Sequence, residues 1–165
     1  MQYLLIVIFI IVFAFFDLRL GYTSVFPVWK HVTYMFQHAN LLHLALNSLS
    51  IYFLFVALER FIRPIVIFLI MFLSAFLVSF LCIYPQPVVG ASGMAYAGFG
   101  ILSLLFVKRQ LKFKDKYSSV LFFINVGFAL IIGFFNQHNA ALLHLYAFIA
   151  GFILSAVLLK IKYFQ

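Results

Sequence analysis

Long apolar runs, separated by short clusters of polar and charged residues, divide the chain into six segments. A helix needs about 20 residues, with a range of about 17–25, to cross the ~30 Å hydrocarbon core of a bilayer. Runs bounded by charged residues, proline or glycine predict membrane helices at approximately 3–16, 41–58, 65–84, 92–107, 118–135 and 142–159. The pattern therefore predicts an all-α membrane protein, a bundle of six transmembrane helices.

The basic residues between these runs predict the orientation of the bundle. Short loops on the cytoplasmic side of a membrane carry an excess of Lys and Arg. Of the 11 Lys and Arg residues, all but Arg19 and Lys30 follow the second, fourth or sixth run. Both termini are thus expected in the cytoplasm and the first loop, residues 17–38, on the opposite side. That loop mixes aromatic and polar residues, and we expect it to be a structured, membrane-associated segment.

The composition agrees with a membrane protein and excludes an ordinary soluble domain. The chain is 67% hydrophobic and 8% charged, against about 45–50% apolar and about 25% charged residues in soluble domains. Its 165 residues fit one domain, 1–165, without a linker. The net charge of +8 does not indicate nucleic acid as a partner, because the basic residues lie in clusters between apolar runs. The single cysteine, Cys82, permits no intrachain disulfide.

Few polar side chains occur at membrane depth, where such groups are costly and are candidates for function. The candidates are His38, His43, Asn47, Ser92 and His144. All fall near helix ends on the predicted outer side, so a site within reach of external water is possible. Two further histidines, at positions 31 and 138, are interpreted as exposed loop residues.

A serine between glycines, in the run Gly90-Ala91-Ser92-Gly93, is a candidate nucleophile. Small neighbours allow another backbone to approach its hydroxyl. If the serine begins a helix, unpaired N–H groups and the positive end of the helix dipole favour a developing negative charge there. Serine is also a common helix cap and glycine a common packing residue in membranes, so this motif alone favours a structural interpretation.

His144 is the candidate base for that serine, because histidine titrates near neutral pH and can take a hydroxyl proton. A single histidine satisfied at a helix end is an equally good interpretation. No aspartate is placed to orient the ring, since Asp17 lies in the first loop and Asp115 on the cytoplasmic side. The residues therefore support a Ser-His dyad at most.

Small residues follow His144 at intervals of one helical turn. Ala147 and Gly151 form a face that allows two helices to approach closely. If this face packs against Gly93 and Ala97 of the fourth predicted helix, the imidazole is brought toward the serine.

His43 and Asn47 are four residues apart and share one face of the second predicted helix. An imidazole and an amide N–H at this spacing could both point at an oxyanion. A metal site is the first competing interpretation, but the chain has only 3 acidic residues and no His-Glu-x-x-His motif. Hydrogen bonding between helices by His38 and Asn47 is the second, and we expect it for His38.

In order, side and spacing, these residues together resemble the rhomboid family of intramembrane serine proteases over residues 29–155. The resemblance rests on Trp29-Lys30, the His38-x4-His43-x3-Asn47 pattern, Glu59-Arg60, the Gly90-x-Ser92-Gly93 motif and His144. Two positions depart from the family pattern. Lys30 replaces an arginine and lacks its planar fork, and Ala147 replaces the first glycine of a Gly-x3-Gly pair, which should widen helix packing slightly.

The resemblance implies a Ser92-His144 dyad, with His43, Asn47 and the Ser92 amide as the oxyanion hole. It also implies a structural role for His38 and support of the His144 ring by Tyr96. Transmembrane proteins are the implied substrates and membrane lipid the surroundings, with no cofactor. We expect a multi-pass protein of a bacterial or archaeal cell membrane, with its site open to the non-cytoplasmic side. The alternatives are a catalytically inactive binder of transmembrane segments and, more distantly, a transporter.

Overall fold

The computed structural model describes residues 1–16, 20–23, 27–82, 84–108 and 140–160. Its helices are α1 (Gln2–Phe15), α2 (Lys30–Thr33), α3 (Leu41–Leu58), α4 (Pro64–Ser79), α5 (Ser92–Val107) and α6 (Ala141–Lys160), with a 3-10 turn at Tyr34–Phe36 after α2. No strand occurs in these ranges. Their one β-type pairing is an isolated antiparallel bridge between Tyr22 and Val88. The predicted helix at 118–135 lies outside the described residues.

The helix starts follow from local chemistry. Asn40 precedes α3, and its side-chain oxygen accepts the backbone N–H of His43 at 2.8 Å, which satisfies one of the unpaired donors of the first turn. Pro64 opens α4, where its fixed φ suits a helix and its missing N–H costs nothing.

Helix α4 ends at Ser79, five residues before the predicted end at residue 84. The Ser79 hydroxyl donates to the carbonyl of Phe76 at 2.6 Å, and the next two N–H groups bond three residues back. The chain then turns and passes through Pro85 and Pro87, which cannot donate hydrogen bonds. The apolar run is therefore longer than the helix, because its last residues belong to the loop that leads to α5.

Helix α5 lies at the centre and contacts α3, α4 and α6, whereas α1 packs on α3. Its contact with α6 is the closest. A Cβ added to Gly151 would fall on the backbone of Ala97, and one added to Gly100 would fall on the carbonyl oxygen of Phe148. Residues this small let the two backbones come together, and this contact fixes how far apart the first turns of α5 and α6 lie.

Large apolar side chains cover the outside of the described helices, among them Leu4, Phe53, Leu77 and Ile153. A surface of this kind suits lipid rather than water. Two helices, at Leu41–Leu58 and Ala141–Leu158, are long and apolar enough to cross a membrane by length and composition, and α1, α4 and α5 are shorter apolar helices.

Candidate active site

Ser92 and His144 lie in contact at one end of the bundle. Ser92 is the first residue of α5 and His144 lies in the first turn of α6. The Oγ atom of Ser92 is 2.8 Å from Nε2 of His144. Because Ser92 belongs to α5 and His144 to α6, the close packing of these two helices sets the distance between the two side chains. A hydroxyl and an imidazole nitrogen at this distance can exchange a proton.

The ring of His144 stacks on Tyr96, with ring centroids 4.3 Å apart and an interplanar angle of 17°. Tyr96 follows Ser92 by one turn of α5, so the same helix supplies the hydroxyl and the surface that orients the imidazole. Nδ1 of His144 is buried and has no hydrogen-bond partner among the described residues. Within those residues no carboxylate orients this ring.

Gly90, His43 and Asn47 meet beside Ser92. Gly90 has a φ of 120°, which favours glycine over other residues. A Cβ at Gly90 would lie 2.6 Å from Cε1 of His43, 2.7 Å from its Nε2 and 3.4 Å from Nδ2 of Asn47. That Nδ2 is buried without a partner in the described part of the chain, so it is a donor directed toward the site and not used by the protein.

The loop before Ser92 is held by two backbone contacts. Tyr22 and Val88 exchange both of their backbone hydrogen bonds, at 3.2 and 2.9 Å, and the N–H of Gly90 donates to the carbonyl of Tyr34 at 2.8 Å. The Tyr34 hydroxyl in turn donates to the carbonyl of Ala75 in α4 at 3.1 Å. These hydrogen bonds tie the first loop to the loop before Ser92. Sequence reasoning missed these tyrosines, because tyrosine is common near membrane surfaces and no motif singles these two out.

Gly93 lies where α5 meets α4, Tyr34 and the first turn of α6. A Cβ there would lie 3.3 Å from Cβ of Ala75, 3.4 Å from the Tyr34 hydroxyl and 3.6 Å from Cδ2 of Leu143. The expected approach of α6 to α5 is therefore seen at Ala97, which meets Gly151, and also at Gly93, which meets Leu143 one turn before Ala147.

His38 is only 2% exposed, and its ring lies 5.1 Å from Phe9 and 5.3 Å from His43 by ring centroids. The expected hydrogen bond to another helix is not found in the described ranges, where neither ring nitrogen has a partner of regular geometry. Burial, with a smaller contribution from His43, lowers the pKa of His38 to about 4, although the backbone of Phe36 opposes this slightly. The ring is therefore neutral at pH 7 and packs as an aromatic group.

His31 is buried at 9% exposure and lies in α2, so its interpretation as an exposed loop residue is wrong. Its ring stacks on Phe80 at 4.0 Å, and its Nδ1 lies 2.8 Å from Oγ of Ser79. The Ser79 proton is already donated to α4, so Nδ1–H of His31 is the donor. Burial lowers the pKa of His31. The first loop packs His31 against the end of α4, and hydropathy alone does not predict such a contact. His138 lies outside the described residues.

The two departures from the family pattern have local consequences. Nζ of Lys30 lies 5.5 Å from the centroid of the Trp29 ring, a cation–π contact that does not need an arginine fork. Ala147 is fully buried, yet one turn later Gly151 still has no room for a Cβ against Ala97. The extra methyl group of Ala147 therefore leaves α5 and α6 in close contact.

A cavity of about 530 Å³ opens over the site and is lined by Ala39, Asn40, His43, Tyr84, Pro85, Gln86, Pro87, Val88, Val89, Ser92, Ala140 and His144. Among the described residues no group of three or more His, Cys, Asp or Glu side chains could hold a metal ion. The polar side chains that line the cavity carry the hydroxyls of Ser92 and Tyr84, two imidazoles and two amides, and a hydroxyl beside an imidazole suits acyl transfer.

Comparison with known proteins assigns the fold. The sequence profile described as "Rhomboid domain" matches residues 25–161. A Bacillus subtilis protein named "Putative rhomboid protease YdcA" is 27% identical over 139 residues, which cover 81% of this chain and 69% of that protein. "Rhomboid-like protease 3" of Toxoplasma gondii is 37% identical over 79 residues, or 48% of this chain and 30% of that protein. The chain belongs to the rhomboid family.

Proposed function

We propose that the protein is an intramembrane serine protease that hydrolyses peptide bonds in or near transmembrane segments through a dyad of Ser92 and His144. The observation that carries the proposal is the 2.8 Å contact between Oγ of Ser92 and Nε2 of His144, two residues that line the same cavity. The family supports proteolysis, and two relatives carry the names of rhomboid proteases.

The proposed reaction passes through an acyl-enzyme. His144 takes the hydroxyl proton as Oγ of Ser92 attacks the carbonyl carbon of the scissile peptide bond. The tetrahedral intermediate collapses, the C–N bond breaks, and His144 returns the proton to the leaving amine. Water then attacks the ester with the same histidine as base, which releases the second product and regenerates Ser92. The stack on Tyr96 holds the ring in one orientation through both steps.

The oxyanion of each tetrahedral intermediate is proposed to be stabilised by His43, Asn47 and the backbone N–H of Ser92. The unpartnered Nδ2 of Asn47 and the proximity of His43 to Gly90 support this assignment. Donors fixed before the reaction stabilise developing charge without reorganisation, which is often the largest contribution to acyl-transfer catalysis.

The substrates are proposed to be transmembrane proteins that approach laterally from lipid. A transmembrane helix hides its backbone carbonyls in internal hydrogen bonds. We therefore expect preferred substrates to carry helix-destabilising residues and small side chains near the outer membrane face. We further propose a six-helix, multi-pass topology with both termini in the cytoplasm and the site open to the opposite side, which the distribution of basic residues supports.

Cleavage of a labelled transmembrane substrate in liposomes tests the proposal. Wild type is compared with Ser92→Ala and His144→Ala, and each variant is expected to lose at least about 1,000-fold in rate, because residues of a catalytic unit fail together. The matched control is Ser103→Ala, which removes another buried serine of α5 and should cleave like wild type.

The competing hypothesis is a catalytically inactive protein that binds transmembrane segments. It gains support if wild type cleaves nothing across a varied panel of substrates, or if folded Ser92→Ala cleaves as fast as wild type. Mass spectrometry after treatment with a fluorophosphonate adds a second readout, since the adduct should form on Ser92 in wild type and be absent in His144→Ala.

A further inference from the structure

Tyr84 lies in the loop between α4 and α5, yet its hydroxyl contacts α6. The backbone N–H of Leu143 donates to this hydroxyl at 3.2 Å. Leu143 is in the first turn of α6, where backbone N–H groups have no acceptor within their own helix. The hydroxyl therefore satisfies a donor that α6 cannot satisfy itself, and it joins two segments 59 residues apart in sequence.

The two ends of this hydrogen bond lie next to the two halves of the dyad. Leu143 directly precedes His144, and its side chain is fully buried against the position of Gly93. Tyr84 lies in the loop that leads to Ser92. A displacement of the first turn of α6 would change the distance between Nε2 and Oγ, and the hydrogen bond to Tyr84 opposes that displacement.

The Tyr84 side chain is itself held in place. Its ring meets Tyr22 edge-on at 6.4 Å, and Tyr22 is paired with Val88 of the same loop. Burial raises the pKa of Tyr84 to about 12, so the phenol stays neutral at assay pH. It acts as a hydrogen-bonding group and not as a proton carrier.

We propose that Tyr84 is a positioning residue, whose hydroxyl holds the first turn of α6 so that His144 stays within reach of Ser92. The inference rests on the proposed function of the dyad. It adds to that function a residue that touches neither reacting atom and lies outside the motifs found in the sequence.

The test is Tyr84→Phe, which removes the hydroxyl and keeps the ring. A neutral hydrogen bond is worth about 0.5–1.5 kcal/mol, so we expect a loss of about 2- to 12-fold in kcat and in the rate at which a fluorophosphonate acylates Ser92. KM should change less than about twofold, because the cavity wall keeps its shape. Hydrogen–deuterium exchange at the Leu143 amide should accelerate by a similar factor. The matched control is Tyr52→Phe in α3, which should leave all these quantities unchanged.

The outcomes are separable. If wild type neither cleaves substrate nor reacts with the fluorophosphonate, the proposed function fails, and the role of Tyr84 in it fails too. If wild type is active and Tyr84→Phe matches it in kcat and acylation rate, only the role of Tyr84 is overturned. A rise in KM at unchanged kcat would also overturn it, because the hydroxyl would then bind substrate. Reaction rates are normalised to the fraction of Ser92 that can be labelled, so a loss of folded protein is not counted as a loss of positioning.

Discussion

Two separate features require glycine at position 90: the backbone conformation and the space left by His43. The positive φ of 120° disfavours any other residue, and a Cβ would stand 2.6 Å from the imidazole of His43. We expect Gly90→Ala to lower proteolytic activity at least tenfold. Its stability should fall by about 1–3 kcal/mol, the usual cost of a residue held in a sparsely populated conformation. Cleavage rates and thermal unfolding in detergent measure the two effects.

A second substitution separates the clash from the backbone strain. In Gly90→Ala combined with His43→Ala the imidazole is gone, so part of the lost stability should return. If the double variant is as unstable as the sum of the two single variants, the contact between Gly90 and His43 is not the cause.

Burial of His38 predicts that the protein loses stability in acid. Its pKa in the folded protein is about 4, below the value of about 6.5 in an unfolded chain. Between these values the unfolded chain binds more protons, so the stability present above about pH 6.5 is lost as the pH falls toward 4. The loss from this group is on the order of 2–3 kcal/mol.

The pH dependence of thermal unfolding checks this prediction. His38→Phe keeps an aromatic ring beside Phe9 and removes the titrating group, so its stability should change less between pH 6.5 and 4 than that of wild type. His31 titrates in the same direction, since burial lowers its pKa as well, and some dependence will remain. Equal slopes for wild type and His38→Phe would contradict the prediction.

Among the elements, the contact between α5 and α6 determines whether Ser92 and His144 can meet. Gly151→Ala would place a methyl group on the backbone of Ala97, where no flexible side chain can give way. We expect the helices to separate, with a loss of stability of about 1–3 kcal/mol and a loss of cleavage of more than about tenfold. Thermal unfolding and substrate cleavage measure these effects.

Gly98→Ala is the matched control for Gly151→Ala. Its Cβ would meet only the ends of the Leu54 and Met71 side chains, at 2.9 and 3.2 Å, and flexible ends can move. Activity close to wild type in Gly98→Ala, combined with loss in Gly151→Ala, assigns the effect to the α5–α6 contact. Equal losses in both would mean that any added methyl group in the bundle is harmful.

For the whole molecule, the proposed topology predicts which loops face the outside. In a Cys82→Ala background, Arg60→Cys and Gln86→Cys place single thiols at two exposed positions that the proposed topology puts on opposite sides of the membrane. A membrane-impermeant maleimide applied to intact cells should label Gln86→Cys and leave Arg60→Cys unlabelled until the membrane is permeabilised. Labelling of Arg60→Cys in intact cells would reverse the proposed orientation.

Much of the fold could be predicted because its signals are local. Apolar runs between charged residues gave approximate helix positions, and the family assignment was confirmed. The length of α4 was not predictable from hydropathy, since the residues after Ser79 are apolar but turn into a loop. The burial of His31 depends on contacts with Ser79, 48 residues away, and no periodicity reports such a distant partner.

In the candidate site, too, some residues could be predicted from the sequence and others could not. Ser92, His144, His43 and Asn47 were found because polar groups are rare and costly in a membrane, and the structure brings them together. The contributions of Tyr34 and Tyr84 escaped prediction, because both act through hydrogen bonds with backbone groups of distant segments. Tyrosines are also common at membrane interfaces for other reasons, so their presence there was no guide to a role.

The shortness of two central helices has a consequence for the surrounding lipid. Helices α4 and α5 have 16 residues each, and at about 1.5 Å per residue they span about 24 Å, less than the ~30 Å of a typical hydrocarbon core. Acyl chains beside them must compress or tilt to avoid exposing their ends to water. Such hydrophobic mismatch favours thinner bilayers and costs a fraction of a kcal/mol per ångström. The protein should therefore concentrate in thin membrane regions, where the end of a passing helix lies closer to water.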